Sequence, residues 1–252
     1  AIAGSCPLKN PKSILITGAN SGIGEALAKE YAGQGVTLYL SGRNLERLDK
    51  VKTACEVMGA TVLTKIINVT DEIKMSEWIK ECGALDLVIA NAGISSGGNV
   101  PIKDIFDVNV NGVFHTVEPA LIGMSKRGQG QIAIISSIAG YRGLPSSPAY
   151  STSKVAVKAY GEALRGLYHD QGIEINVICP GFVRSRITDK NNFKMPFFME
   201  AEKAAKIIRK GLANNKRLIT FPWQMRIIMG SLVRFMPEFL LGKILRGLPI
   251  KK

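Results

Sequence analysis

The chain alternates short apolar runs with longer segments of helical periodicity from residue 13 to about residue 220. Each apolar run is almost continuously hydrophobic, as is typical of strands that helices cover on both faces. Alternating strands and helices build right-handed βαβ units and one parallel sheet. We therefore predict a single doubly wound α/β domain over residues 1–252, with helices on both faces of the sheet.

Seven runs are predicted as strands, at residues 13–17, 36–41, 61–67, 85–90, 131–136, 173–179 and 217–220. No linker of low complexity separates them. Residues 182–200 lack clear periodicity and follow the sixth predicted strand. Open α/β sheets bind ligands beyond the carboxyl ends of their strands, so this loop is predicted to cover a substrate.

The composition excludes several classes of protein. Apolar residues make up 46% of the 252 residues and charged residues 21%, as in folded globular domains. Four scattered cysteines and two histidines form neither a disulfide framework nor a zinc pattern, so no metal is expected. No apolar run reaches the about 20 residues of a spanning helix, and Ala1–Asn10 lacks the apolar core of a signal peptide, so we expect a cytoplasmic protein.

A glycine-rich segment, TGANSGIG, joins the first predicted strand to the first helix at residues 17–24. Gly18 permits a tight turn, Gly22 lets the backbone approach a diphosphate, and Gly24 lets the helix pack close to the sheet. The free N–H groups at the start of that helix attract phosphate. A purely structural turn is the alternative, but the position in the first βα unit favours a dinucleotide site.

The end of the second predicted strand indicates which dinucleotide binds. Enzymes that use NAD place an acid here, about 20 residues after the glycines, to hold the ribose 2′-hydroxyl. This chain has Gly42 and Arg43 instead. A guanidinium pairs well with a 2′-phosphate, so we predict NADP(H); the alternative is a surface arginine that begins the next helix.

Tyr150 and Lys154 lie four residues apart, which places both side chains on one face of a helix. A phenol has a pKa near 10, and a neighbouring ammonium together with an oxidised nicotinamide would lower it towards neutral pH. Ser137, at the carboxyl end of the fifth predicted strand, supplies a hydroxyl beside that helix. The three side chains together indicate proton transfer to a carbonyl oxygen or from an alcohol.

Taken together, these motifs resemble the short-chain dehydrogenase/reductase family, in its compact single-domain branch. The resemblance covers about residues 13 to 185, and the family's other motifs follow in order as Asn91-Ala92-Gly93, Asn109 and Pro180-Gly181. It implies a Rossmann-type fold with a central seven-stranded sheet. It also implies a homodimer or homotetramer, assembled through helices near residues 103–125 and 150–170.

The resemblance implies four catalytic residues. Tyr150 would exchange a proton with the reacting oxygen, and Ser137 would hydrogen-bond that oxygen. Lys154 would lower the pKa of Tyr150 and bind the nicotinamide ribose, while Asn109 would hold a water that relays protons. The residues expected to contact the cofactor are Gly18, Asn20, Ser21, Gly22, Ile23, Gly24, Arg43, Asn68, Val69, Asn91, Ala92, Gly93, Tyr150, Lys154, Pro180, Gly181, Val183 and Ser185.

Two positions depart from the family's usual pattern. Asn68 stands where many members have an aspartate against the adenine, and an amide can still accept a hydrogen bond from the adenine amino group. Ser185 stands where a threonine usually binds the nicotinamide carboxamide, and it keeps the hydroxyl. Both residues are expected to keep these contacts.

Residues 216–252 form a basic and apolar tail, which carries +7 of the net charge of +13. Pro237 divides it into two predicted helices. Basic side chains among bulky apolar ones suit contact with an anionic membrane surface. The alternative is a tail that packs on the domain, lines the substrate cleft or forms a subunit contact. Specific nucleic-acid binding is not expected, because the remaining charge is dispersed along the chain.

We therefore predict an NADP(H)-dependent oxidoreductase acting on a carbonyl group or a secondary alcohol. The alternatives are a non-catalytic NADPH-binding sensor or scaffold, which would not need the four catalytic residues, and a sugar-nucleotide epimerase or dehydratase, which needs a larger substrate domain. A lipophilic substrate is favoured by the mostly apolar residues expected around it, with Arg142 or Arg184 as alternative ligands for an anionic group. The substrate side is expected at Ile94, Ser95, Ser96, Ile138, Leu144 and the 182–200 loop.

Overall fold

The structure, a computed structural model, describes residues 10–95, 100–186, 188 and 195–229. Seven strands run through this part of the chain, namely β1 (Ser13–Thr17), β2 (Thr37–Gly42), β3 (Thr61–Ile66), β4 (Leu87–Ala90), β5 (Gly130–Ile135), β6 (Ile173–Pro180) and β7 (Leu218–Phe221). They pair in parallel as one sheet, in the order β3-β2-β1-β4-β5-β6-β7. The predicted parallel sheet is therefore confirmed, and each strand end lies within two residues of its predicted position.

Within the same ranges, helices connect the strands and none is long and apolar enough to cross a membrane. The α-helices are α1 (Gly22–Tyr31), α2 (Leu45–Val57), α3 (Glu72–Glu81), α4 (Ile102–Phe106), α5 (Gly112–Arg127), α6 (Pro148–Leu167), α7 (Ala201–Ala213) and α8 (Trp223–Ile227). A π-helical turn, Asp107–Asn111, joins α4 to α5. Helix α8 belongs to the first of the two helices predicted in the tail, whereas residues 230–252, with Pro237, lie outside the described residues, as does Ser96.

Helices cover both faces of the sheet, because successive side chains of a strand point to opposite faces. In β1, Ile14 and Ile16 belong to the core formed with α1, α2 and α7, whereas Leu15 belongs to the core formed with α3, α5 and α6. All three side chains are fully buried. This burial on two faces explains why the strands read as continuous apolar runs in the sequence.

The order of the strands reverses beside β1. This strand pairs with β2 on one side and with β4 on the other. At such a switch point a crevice opens beyond the carboxyl ends of the two strands, and doubly wound sheets bind their ligands there. The glycine-rich segment follows β1 and Asn91 follows β4, so the fold brings both predicted motifs to one crevice.

Helix α6 lies close against the sheet, and it carries both Tyr150 and Lys154. The close approach occurs at Gly161, where a Cβ atom would lie 2.6 Å from Val177 Cγ2 of β6. Gly166, near the end of the same helix, has no atom within 4 Å of the corresponding position. Substituting Gly161 therefore tests the packing of α6 on the sheet, and substituting Gly166 tests helix propensity alone.

We expect Gly161→Ala to lower the free energy of unfolding by about 1–3 kcal/mol, because the added methyl group overpacks the interface with β6. Gly166→Ala is expected to raise it by at most about 1 kcal/mol, because alanine favours a helix over glycine and meets no neighbour. Urea unfolding followed by circular dichroism measures both values. Equal stability of the two variants would contradict the close approach at Gly161.

Candidate active site

A cavity of about 470 Å³ lies at the carboxyl edge of the sheet. Segments that follow β1, β2, β4, β5 and β6 contribute to its wall, so it occupies the predicted crevice. The described residues that line it are Gly18, Asn20, Ser21, Gly22, Ile23, Arg43, Arg47, Asn91, Ala92, Gly93, Ile94, Ser95, Val100, Ile135, Ser136, Ser137, Tyr150, Lys154, Pro180, Gly181, Val183, Ser185, Arg186 and Thr188. Most of the residues predicted for the cofactor therefore meet in one place.

The glycine-rich turn is held in shape by Asn91. Its side-chain amide donates to the backbone oxygens of Thr17 (2.9 Å) and Gly18 (3.2 Å). In return, Thr17 Oγ1 accepts the backbone N–H groups of Asn91 and Ala92 at 3.0 and 3.1 Å. Gly18 has φ of +64°, a backbone conformation that residues other than glycine rarely adopt. These bonds join the turn after β1 to the loop after β4 and fix the backbone that would face a diphosphate.

Gly24 is required for the start of α1. A Cβ atom at this residue would lie 2.5 Å from both Gly18 O and Asn91 Nδ2. Ser21, the residue before the helix, makes no side-chain capping hydrogen bond. The first N–H groups of α1 therefore remain available for an anion, as predicted from the sequence.

The far end of the cavity is positively charged. Gly42 ends β2 against Asn20, and a Cβ atom at Gly42 would lie 2.9 Å from Asn20 Cγ. Arg43 follows directly and is exposed. Arg47 and Arg186, which the sequence analysis did not single out, also line the cavity. Among the described lining residues there is no aspartate and no glutamate, so the wall suits an anionic ligand.

Ser137, Tyr150 and Lys154 come together at the other end. The Ser137 hydroxyl hydrogen-bonds the Tyr150 phenol, which favours the ionised phenol, but burial outweighs this bond and raises the pKa of Tyr150. Burial and Ser137 are the causes of this shift in the protein alone, so the predicted effect of Lys154 together with an oxidised nicotinamide stays a prediction. The ammonium lies 5.9 Å from the centre of the phenol ring and donates to Ile135 O at 3.0 Å.

Lys154 is itself strongly affected by its surroundings. Its side chain is buried, and burial lowers its pKa to about 8. Ser136 Oγ donates to Lys154 O at 2.8 Å and so ties this turn of α6 to the end of β5. The amine therefore gains and loses its proton near pH 8, well below the usual range of a lysine.

Asn109 lies in the π-helical turn behind the cavity wall and is fully buried. Its amide nitrogen donates to Ile94 O (2.9 Å) and Ser153 Oγ (3.0 Å), and its oxygen accepts from Ile94 N at 2.8 Å. Ser153 Oγ in turn donates to Tyr150 O at 2.7 Å. Both amide hydrogens are thus used, and only the second lone pair of Oδ1 remains for the predicted water.

This geometry agrees with comparisons to known proteins. The family model described as short chain dehydrogenase matches residues 12–195. The chain belongs to the short-chain dehydrogenase family. Members of this family are oxidoreductases that bind a nicotinamide cofactor, so the predicted family and reaction type are confirmed.

Among curated proteins, an uncharacterised oxidoreductase of Myxococcus xanthus is 36% identical over 226 residues, which cover 86% of this chain and 89% of the relative. The 17-beta-hydroxysteroid dehydrogenase 13 of Rattus norvegicus is 27% identical over 248 residues, which cover 93% and 82%. Among solved structures, a short-chain dehydrogenase from Sphingobium yanoikuyae in complex with NADPH matches with a TM-score of 0.80 at 20% identity, covering 95% of this chain and 97% of that chain.

Some residues predicted for the site of this short-chain dehydrogenase do not reach the cavity. Asn68 is exposed, and its side chain accepts the N–H group of Thr70 at 3.3 Å. Val69 is buried against Gly112, and a Cβ atom built on Gly112 would lie 2.5 Å from Val69 Cγ2. The predicted contacts of Asn68 and Val69 with the cofactor therefore have no support from the shape of the cavity.

The predicted substrate side is only partly assembled. Ile94 and Ser95 line the cavity, whereas Ile138 and Leu144 are not among its described lining residues. Arg184 forms an ion pair with Glu200 at 2.7 Å. Neither Arg184 nor Arg142 is among the described residues that line the cavity. The geometry therefore gives no support to either arginine as a ligand for an anionic substrate.

Thr188 is a site residue that the sequence analysis missed. Its hydroxyl accepts the N–H group of Ser185 at 2.9 Å and donates to Val183 O at 2.9 Å. It is buried and lines the cavity beside Ser185. A hydroxyl three residues after Ser185 is a pattern that closes a local turn, and that pattern was readable in the sequence.

The burial of Lys154 predicts a pH-dependent contribution to stability. Between about pH 8 and pH 10.5 the unfolded chain holds a proton on Lys154 that the folded protein has released. The free energy of unfolding of the wild type, taken relative to that of Lys154→Met, should therefore rise with pH across this window by up to about 3 kcal/mol. Urea unfolding of both proteins at pH 7.5, 9 and 10.5 measures the difference, and a constant difference would contradict the lowered pKa.

Proposed function

We propose that this protein is an NADP(H)-dependent oxidoreductase that interconverts a carbonyl group and an alcohol on a lipophilic substrate. The observation that carries the proposal is the meeting of Ser137, Tyr150 and Lys154 at one end of a cavity whose other end is lined by arginines. A dinucleotide needs such a cavity, because its diphosphate and its nicotinamide are bound at separated points. The four predicted catalytic residues also argue against a purely non-catalytic sensor or scaffold.

The cavity fits a dinucleotide in the features that this chain supplies. Gly18 and Gly22 have φ of +64° and +56°, and they expose backbone where a side chain would obstruct a diphosphate. The choice of NADP(H) over NAD(H) rests on charge. Arg43 and Arg47 line the cavity after β2 without any described acid among the lining residues, and NADP(H) carries an additional phosphate.

The chemistry that the nicotinamide supplies when bound is the transfer of a hydride. Tyr150 then provides or accepts the proton at the substrate oxygen. Because burial raises the pKa of Tyr150, the phenol keeps its proton at neutral pH. The protonated phenol is the form that donates to a carbonyl oxygen in the reductive direction, and the ionised phenol is the form that accepts the alcohol proton in the oxidative direction.

The remaining residues orient this proton transfer. Ser137 Oγ accepts the N–H group of Ala139 at 3.1 Å, which fixes the hydroxyl beside Tyr150. We propose that Ser137 hydrogen-bonds the substrate oxygen in that position. Asn109 Oδ1 and Lys154 Nζ both face Gly93, where a Cβ atom would lie 3.2 Å and 3.4 Å from them. We propose that Asn109 holds there the water that relays protons.

A lipophilic substrate is proposed from the wall near the catalytic residues. Ile94, Val100 and Val183 contribute apolar surface there, with Ser95 as a neighbouring polar group. The rat relative named as a hydroxysteroid dehydrogenase is consistent with substrates of this class. Apolar ketones and aldehydes are therefore the first compounds to test.

The purified protein is expected to oxidise NADPH faster than NADH in the presence of apolar carbonyl compounds. Tyr150→Phe should reduce turnover at least about a hundredfold, because the proton donor is lost, while the Kd for NADPH changes little. Absorbance at 340 nm measures turnover, and fluorescence titration measures binding. Near-normal turnover in Tyr150→Phe would overturn the catalytic assignment. NADPH binding without turnover across a broad panel would support the sensor module instead.

We also propose that the protein forms a homodimer or homotetramer through α5 and α6. Large apolar side chains are exposed on these helices and on the neighbouring α4. Packing against a second copy of the chain would remove this apolar surface from water. The residues concerned are Ile102, Ile122, Val155 and Leu167.

A peripheral contact with an anionic membrane is proposed for the basic tail, residues 216–252. In the described part of the tail, Trp223 is 67% exposed, Ile227 51% and Ile228 40%. Bulky apolar groups next to basic ones insert into a lipid interface while the charges bind anionic headgroups.

Deleting residues 223–252 should abolish flotation with vesicles of phosphatidylcholine and phosphatidylserine at low salt. A full-length variant with Trp223→Ser and Ile227→Ser keeps every charge and is expected to bind several-fold more weakly, because its apolar insertion is lost. Vesicles of phosphatidylcholine alone serve as the control. Absence of binding by the intact protein at low salt would rule out the membrane contact.

A further inference from the structure

We infer that Arg47 is a second ligand of the cofactor's 2′-phosphate, acting together with Arg43 to select NADP(H). The inference rests on the proposed function, because it assigns a specificity residue to the proposed cofactor site. Arg43 follows β2 directly, whereas Arg47 projects from the first turn of α2. Both line the same cavity, on the side where Asn20 packs against Gly42.

The position of Arg47 is fixed by the start of α2. Asn44 caps this helix, and its side-chain oxygen accepts the backbone N–H group of Arg47 at 2.9 Å. The N–H group of Leu48 donates to Asn44 O at 3.1 Å. The backbone of Arg47 is therefore held in place, and less conformational freedom is lost when its side chain binds a ligand.

Arg47 Nε is buried and has no hydrogen-bond partner in the described part of the chain. A buried guanidinium nitrogen without a partner is costly, and such groups in folded proteins usually have a function or a ligand. The nearest acid along the helix, Glu46, pairs with Lys50 at 2.7 Å. Rotation of the Arg47 side chain towards an anion bound in the cavity would give this nitrogen an acceptor.

The location of Arg47 in the helix supports the same conclusion. The first turn of a helix carries a partial positive charge, so it favours acidic residues and disfavours arginine. That unfavourable arrangement becomes favourable when an anion binds between the guanidinium and the helix start. A phosphate monoester carries nearly two negative charges and three acceptor oxygens, which two guanidinium groups can share.

The ligand is therefore the phosphate on the ribose that faces the end of β2. NADH lacks this group, and the diphosphate common to both dinucleotides is expected at the glycine-rich turn. A Cβ atom at Gly22 would lie 2.9 Å from Ser185 Cβ, and this places the neighbouring Arg186 on the diphosphate side. Loss of Arg47 should for this reason affect NADPH selectively, whereas loss of Arg186 should affect both dinucleotides.

The test is calorimetric titration of NADPH, NADH, adenosine 2′,5′-bisphosphate and AMP into the intact protein at one fixed salt concentration. Arg47→Ala should raise the Kd for NADPH and for the bisphosphate about tenfold, as expected when one charged hydrogen-bond donor is removed. The Kd for NADH and for AMP should change less than twofold. Arg43→Ala should show the same selectivity, and Arg47→Lys should fall between Arg47→Ala and wild type, since it keeps the charge but lacks Nε.

Two control variants separate a direct contact from general effects. Lys50→Ala removes a positive charge from the next turn of α2 without touching the cavity, and it should leave every Kd within twofold. Arg186→Ala should weaken NADPH and NADH equally. Equal thermal melting of all variants establishes that each one is folded.

The outcomes distinguish this inference from the proposed function. If wild type binds the bisphosphate no more tightly than AMP, the proposed preference for NADP(H) fails and the role of Arg47 fails with it. If wild type shows the preference, and Arg47→Ala keeps it while Arg43→Ala loses it, only the inference about Arg47 is overturned. Equal weakening of NADPH and NADH by Arg47→Ala also overturns it.

Discussion

The active site depends on how closely helix α6 approaches the ends of β5 and β6. Gly140 and Gly161 make this approach possible, since Cβ atoms there would lie 2.7 Å from Lys154 O and 2.6 Å from Val177 Cγ2. Two polar bonds then lock the helix in place, from Ser136 Oγ to Lys154 O and from Lys154 Nζ to Ile135 O. A displacement of α6 by the size of one methyl group would separate Tyr150 from Ser137.

Burial acts in opposite directions on the two titrating groups of the site. It raises the pKa of Tyr150 and lowers that of Lys154 to about 8, because it disfavours the charged form of each. A free lysine has a slightly higher pKa than a free tyrosine. In this site the order is reversed, so the amine loses its proton at a lower pH than the phenol does. In the protein alone the phenol is therefore protonated, and the amine is the group whose charge changes near pH 8.

Much of this protein was predictable from its sequence, because the determining features are local. Gly18, Gly22 and Gly24 follow a strand, and Tyr150 and Lys154 share a helix face, so neither pattern requires knowledge of distant contacts. Arg47 was not predictable in the same way, since only the packed structure shows that its Nε is buried without a partner. The reverse holds for Asn68, which occupies the expected place in the chain but turns its side chain to the N–H group of Thr70.

The bond pattern between Asn109 and Ile94 has a consequence for the evolution of specificity. The side-chain amide of Asn109 binds both the N–H and the C=O of Ile94, as a neighbouring peptide group would in a sheet. The loop after β4 is thus held through the main chain of Ile94, and the side chain of Ile94 makes neither of these hydrogen bonds. The side chain of Ile94 lines the cavity and packs on the core, so other apolar residues at this position would reshape the substrate side while the main-chain anchor is retained.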